Sequence, residues 1–253
     1  PSPEERAFLV YFFDFKMSFD VDTQTLNDLG IFQNAYNRNS VFNLFDNTKT
    51  IGGKEKLEDI FNRPLTSASL IKERLEVIDY FQNSTFQLTA DKRSCDFIEF
   101  YLKKPYQNQI RPFAKITRFI QMAMYNHESA PALLKNLHTS ILKTFEEENF
   151  HFVKPLINKK KLTIIDLAKA DHLFRHTGYT RIKGLLDIIY QLDLYVAVAL
   201  SGKAMGFSLP IIKEDEGTSL VVKDLFHPFI NNPVCNDIEF NHHKNVCFVT
   251  GTN

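Results

Sequence analysis

The feature that most limits what this chain can fold into is one long helical pattern over residues 181–206. Ile182, Leu185, Leu186, Ile189, Leu192, Val196 and Leu200 recur at three- and four-residue spacing, which places them on one stripe of a helix. Asp187, Gln191 and Lys203 fall mostly elsewhere on it. At the α-helical rise such a helix spans very roughly 38 Å. A rod of that length either forms the core helix of a bundle or connects distant parts of a molecule.

The rest of the chain up to Phe207 agrees with a helical fold. Nine Gly and ten Pro among 253 residues leave few breakers, and 24 Phe supply core volume in a chain without Trp. Residues 52–61 read as a short helix. In residues 64–81, Leu70, Ile71, Leu75, Ile78 and Phe81 keep helical spacing, with Ser67 or Ser69 as N-cap. Residues 131–148 and 161–176 are further helices, the second broken at Thr177-Gly178. After Phe207 the texture changes: Pro210, Gly217, Pro228 and Pro233 punctuate short runs, and residues 219–222, 238–240 and 245–250 read as strands.

Charge and cysteine content exclude several classes. Lys+Arg and Asp+Glu both number 30, so no net positive field is available for histone-like nucleic-acid binding, and only a local basic patch remains. The longest apolar runs, residues 7–13 and 194–200, have seven residues each, against the ~20 that cross a bilayer. No signal-peptide pattern opens the chain. Cys95, Cys235 and Cys247 form neither a disulfide framework nor a zinc site, and an odd count reads as a reducing, cytoplasmic setting. The sequon Asn83-Ser84-Thr85 then carries no meaning.

Residue chemistry alone does not reach a function. His172 and His176 share a helix face, but two ligands do not make a zinc site. His242-His243 reads as a turn between strands. Asp91, Asp96 and Glu99 could pair as carboxylates, but nothing ties them to a cleft; Lys103-Lys104 and Lys159-Lys160-Lys161 could touch phosphate, but a solvated loop is the favoured reading of them. The final run Val246-Cys247-Phe248-Val249 feeds Thr250-Gly251-Thr252-Asn253, as a strand feeds a phosphate-binding loop. This ending reads as a fragment cut inside a larger protein.

Several separated motifs, in order, resemble the DNA mismatch repair MutS family. Asp22-x-x-Thr25-Leu26-x-x-Leu29 resembles the opening of that family's core domain. Ser40-x-x-x-Leu44-Phe45, Thr48-x-Thr50-x-x-Gly53-x-x-x-Leu57, Pro64-Leu65 and Ile71-x-x-Arg74 follow in the family's order. Leu192-Asp193 resembles the start of its lever-like helix segment, which reaches Pro210. Leu225-Phe226-His227-Pro228 resembles G-R-H-P, and Val234-Cys235-Asn236-Asp237 resembles V-P-N-D. Thr250-Gly251-Thr252-Asn253 resembles T-G-P-N at the start of the Walker A loop. The resemblance covers residues 20–253.

The resemblance implies a mainly α fold: a helical core with a long lever helix over residues 20–206, then a short β-containing opening of an α/β P-loop ATPase domain over residues 207–253. Residues 1–19 stay unassigned. It implies a dimeric, DNA-binding ATPase in mismatch repair that uses ATP and Mg. Its partner is double-stranded DNA, mismatched or branched, and no membrane association is evident in these residues. Gly251, Thr252 and Asn253 would wrap the phosphates, and His227, Val234, Asn236 and Asp237 would sit beside the nucleotide. Thr252 replaces the family's usual Pro, Pro233 stands where some members carry a stacking aromatic, and Glu55 stands where Arg is common. Residues 105–163 are short for a full clamp. The Walker Lys is absent from these residues, so this piece by itself should not hydrolyse ATP. Two other readings are a paralogue acting on branched or recombining DNA, and a non-catalytic helical scaffold for a protein partner.

Overall fold

The computed structural model describes residues 18–33, 39–86, 88, 92–103, 130–146, 151, 155–156, 163–213 and 219–248. The chain divides into two compact units, Pro1–Pro210 and Ile211–Asn253. The first is helical. Its described helices are α1 (Thr23–Asp28), α2 (Val41–Phe45), α3 (Ile51–Asn62), α4 (Ala68–Asn83), α5 (Lys92–Lys103), α6 (Ala132–Glu146), α7 (Ile164–His172) and α8 (Tyr179–Met205).

Short polar side chains start four of these eight helices by accepting otherwise unpaired first-turn N–H groups. Asp22 accepts from the Thr25 N–H at 2.9 Å and from its hydroxyl at 2.6 Å. Ser40 accepts from Asn43 N at 3.2 Å, and Thr50 from Gly53 N at 3.0 Å. Thr163 and Asp166 form a reciprocal capping box on α7. Ser67 occupies the N-cap of α4, but its hydroxyl bonds to Ser69 and makes no cap bond. The last helix ends at Gly206, whose φ of 69° is the left-handed conformation that lets Phe207 N close on Gly202 O.

Helix α8 is the axis of the core. It packs chiefly on α3 and α4, and less extensively on α2, α5 and α6. Its buried residues are not confined to the expected stripe: Ile188, Leu194, Ala197 and Ala199 are buried beside Ile182, Leu185, Leu186, Ile189 and Val196. Leu192 is only half-buried and Leu200 is 51% exposed, which corrects the stripe at its C-terminal end. Neighbours cover α8 on several sides, so no one face had to carry the apolar residues. By length and composition α8 could cross a membrane, yet 67% of its apolar window is buried within the protein, which accounts for that composition. Phenylalanines tie the N-terminal helices to its C-terminal end: ring centroids lie 5.9 Å apart for Phe42–Phe61, 6.1 Å for Phe45–Phe61 and 6.0 Å for Phe45–Phe207.

The helix expected over residues 161–176 is α7 followed by a π-helical turn, Leu173–Thr177. Leu173 O accepts from Gly178 N, which widens the turn before α8 begins.

In the second unit β1 (Leu220–Leu225) and β2 (Asn236–Phe240) pair antiparallel, with Val221 opposite Glu239 and Val222 opposite Ile238. A bulge between Val222 and Leu225 leaves Asp224 at φ 52°. The third strand expected over residues 245–250 does not form at Asn245–Phe248, and the remainder lies outside the described residues. A strand needs a ladder partner for its N–H and C=O groups, and among the described residues the sheet has only two strands. Val246 and Phe248 are accordingly 70% and 89% exposed.

Candidate functional site

Asp193 is the only charged residue between Ile188 and Leu200, and it is 2% exposed. A carboxylate removed from water needs compensating donors. Residues 49–50, at the start of α3, supply them. Lys49 N donates to both carboxylate oxygens at 3.0 and 2.9 Å, Thr50 N to Oδ2 at 2.8 Å, and the Thr50 hydroxyl to Oδ2 at 2.6 Å. The positive end of the α3 dipole meets the same carboxylate. Thr50 Oγ1 in turn accepts from Gly53 N, so one hydroxyl links Asp193 to the first turn of α3.

Two glycines make this approach possible. A Cβ on Gly52 would overlap the Tyr190 ring, and one on Gly53 would collide with the Asp193 carboxylate. Tyr190 then donates its hydroxyl to Glu99 Oε1 on α5 at 2.7 Å. Burial, reinforced by Glu99, pushes the Tyr190 phenol up from its ordinary value. Residues 47–49 are held at two further points: Asn47 Nδ2 donates to Ser201 Oγ further along α8 at 2.7 Å, and Lys49 Nζ donates to Leu88 O, in the segment after α4, at 2.8 Å. Beside the junction a cavity of about 410 Å³ opens between α3, α5 and α8, lined by Gly52, Glu55, Glu99, Leu102, Lys183 and Tyr190 among others. At its rim Lys56 pairs with Asp187 at 2.7 Å.

A second cluster joins α5 to the π-helical turn. Tyr101 donates its hydroxyl to Asp171, Arg175 Nε donates to Asp171 at 2.9 Å, and Arg175 Nη1 donates to Tyr101 O at 2.8 Å. The Arg175 guanidinium lies 3.9 Å from the Tyr101 ring centroid. Burial, with Asp171 accepting the bond, raises the Tyr101 phenol.

The second unit gathers four of the expected nucleotide-side residues on its hairpin. Asn236 Nδ2 donates to Val234 O at 3.2 Å, and Asp237 Oδ1 accepts from Asp224 N in the bulge at 2.9 Å. His227 Nδ1 accepts from Phe229 N at 3.3 Å. Val234 is 83% exposed.

Comparison with known proteins decides the family. The family model for MutS domain III matches residues 24–199, well over half the chain. The chain belongs to the MutS family. A 67-residue stretch is also 36% identical to the DNA mismatch repair protein MSH3 of Candida glabrata, covering 26% of this chain and 6% of that relative's length. Membership in a mismatch repair family and the mainly helical fold therefore stand as expected.

Several MutS-like motifs acquire physical roles here. Asp22-x-x-Thr25 and Ser40-x-x-x-Leu44 are helix starts, and Thr50-x-x-Gly53 together with Leu192-Asp193 forms the α3–α8 junction. Gly251, Thr252 and Asn253 lie outside the described residues, as do Asp91, Lys104 and Lys159 to Lys161. Asp96 pairs with Lys92 at 3.0 Å while Glu99 serves Tyr190, so these carboxylates work apart. The His172 and His176 rings lie 5.0 Å apart, tilted at 43°, on the surface, and among the described residues no group of three or more His, Cys, Asp or Glu could hold a metal. His242 and His243 sit in a turn closed by Asn241 and Lys244. The residue-by-residue reading missed Asp193, Tyr190 and the Tyr101–Asp171–Arg175 cluster. A lone acid in an apolar helix was the available signal for the first.

Proposed function

We propose that this chain is the core and lever of a DNA-binding ATPase in mismatch repair, relaying between a DNA-gripping clamp and a nucleotide site. The observation that carries the reading is α8, a single 27-residue helix within the MutS core, anchored at its middle to α3 by Asp193. A helix so held moves as a body instead of bending locally. ATP binding would favour one arrangement of the lever and DNA another, and each ligand would alter affinity for the other by the same factor.

Gly251, Thr252 and Asn253 would meet the phosphates, with His227 and residues 234–237 alongside. The hairpin residues fit the uncharged parts of a nucleotide better than its phosphates, since Val234 is exposed and Asp237 already serves the Asp224 amide. Bound ATP and its magnesium would supply the free energy separating the two arrangements. The parent protein would act on double-stranded DNA, mismatched or branched, as a cytoplasmic homodimer.

The test is a titration of the full-length protein with matched, mismatched and four-way-junction DNA at two salt concentrations, with and without ATP. A mismatch preference altered by ATP supports the repair relay. A junction preference assigns the protein to branched DNA. Absence of binding to every probe at low salt overturns the DNA-binding reading in favour of a protein scaffold.

A further inference from the structure

Tyr190 and Asp193 stand one turn apart on α8, so they project on the same side of the helix. That single turn grips two other helices. Asp193 takes the Lys49 and Thr50 amides and the Thr50 hydroxyl at the N-cap of α3, while the Tyr190 ring fills the space left by Gly52 and its hydroxyl bonds Glu99 of α5. The character of these contacts matters as much as their number. Apolar helix faces can slide past each other by small shear steps. A buried carboxylate bonded to backbone amides cannot, because any slide strands a charge and its donors without partners.

We propose that Asp193 is a positioning residue that, through Thr50, makes α3 turn with α8, so that displacement of the lever is transmitted to α3 and, through Tyr190 and Glu99, to α5. The inference rests on the relay reading above. Apolar packing around the junction stabilises the same helices but leaves them free to shear. The carboxylate removes that freedom. Gly52 and Gly53 keep the helix start close enough for the bonds to form.

The experiment uses the full-length protein and a fluorescent DNA duplex, with affinity measured with and without ATP. Thr50→Val removes the hydroxyl and keeps the shape; Thr50→Ser keeps the hydroxyl; Asp193→Asn weakens the acceptor. All are compared with wild type by circular dichroism and thermal melting. The expected result is that Thr50→Val binds DNA without ATP about as the wild type does, loses at least about fivefold of the ATP-dependent change, and is rescued by Thr50→Ser. Should Asp193→Asn fail to fold, Tyr190→Phe drops only the bond to Glu99 and is expected to show a smaller loss of the same response. Folded variants that keep the full wild-type ATP response overturn the transmission role while leaving the relay reading intact. A wild type whose DNA affinity ATP does not change overturns the relay reading, and the transmission role falls with it.

Discussion

The Thr50 hydroxyl lies 2.6 Å from Asp193 Oδ2, with both residues buried, and accepts in turn from Gly53 N at 3.0 Å. This contact joins positions 143 residues apart and sets the approach of α3 to α8. Replacing Asp193 with Ala leaves three donors without their acceptor, and at about 1–3 kcal/mol for each unsatisfied group should cost at least about 3 kcal/mol in a urea titration. Thr50→Val should cost about 1–3 kcal/mol. A loss below about 0.5 kcal/mol for Asp193→Ala would exclude the carboxylate as the anchor.

Gly52→Ala sets a steric clash against helix propensity. Alanine gains about 1 kcal/mol in a helix, yet its methyl would overlap the Tyr190 ring. The clash should win by about 1–3 kcal/mol. Combining it with Tyr190→Ala should make the two effects strongly non-additive; a simple sum of the single-variant losses would mean that Gly52 and Tyr190 do not meet.

Leu186 and Leu200 are the same residue type on one helix, 2% and 51% exposed. Leu186→Ala should destabilise by about 2–5 kcal/mol, and Leu200→Ala by about 0.5 kcal/mol or less. Equal losses would place the core on a different face of α8.

Tyr101 and Tyr190 should resist ionisation. Both phenols are raised from an ordinary value of 10.0, chiefly by burial. A raised acid binds its proton more tightly in the folded state. Its contribution to stability is therefore complete below the unfolded value and is lost as pH rises above it toward the folded value. Alkaline absorbance titration should show late-titrating tyrosinate that ionises only with unfolding, reduced in Tyr190→Phe. Ionisation of every tyrosine near pH 10 in the folded protein would contradict this burial.

For the nucleotide end, Gly251→Val in the full-length protein should weaken ATP binding, because a branched side chain blocks the backbone from the phosphates. Equilibrium binding of a fluorescent ATP analogue measures it. Unchanged affinity would remove Gly251 from the phosphate loop.

Much of the local structure was legible in the sequence. The spacing of Leu70, Ile71, Leu75, Ile78 and Phe81 marks α4, and the run from Ile182 marks α8 to within a few residues. These are short-range signals, since a helix repeats every 3.6 residues and its caps lie within one turn. Leu200 misled because periodicity identifies a face without stating what covers it. The strand expected at residues 245–250 misled in a related way: β-propensity cannot supply a neighbouring strand.

The candidate site was legible only as separate words. Thr50-x-x-Gly53 and Leu192-Asp193 carried the family resemblance, and nothing within either segment said that they touch. By itself the sequence determined the helical class, the length of α8 and membership in the MutS family, because these depend on local periodicity and ordered motifs. Only the tertiary structure decided that Asp193 holds Thr50, the N-cap of α3, that Gly52 makes room for Tyr190 and that Glu99 serves Tyr190 instead of a neighbouring carboxylate. A buried charge is stable only where distant backbone brings it donors, and which backbone arrives there is settled by packing of the whole core.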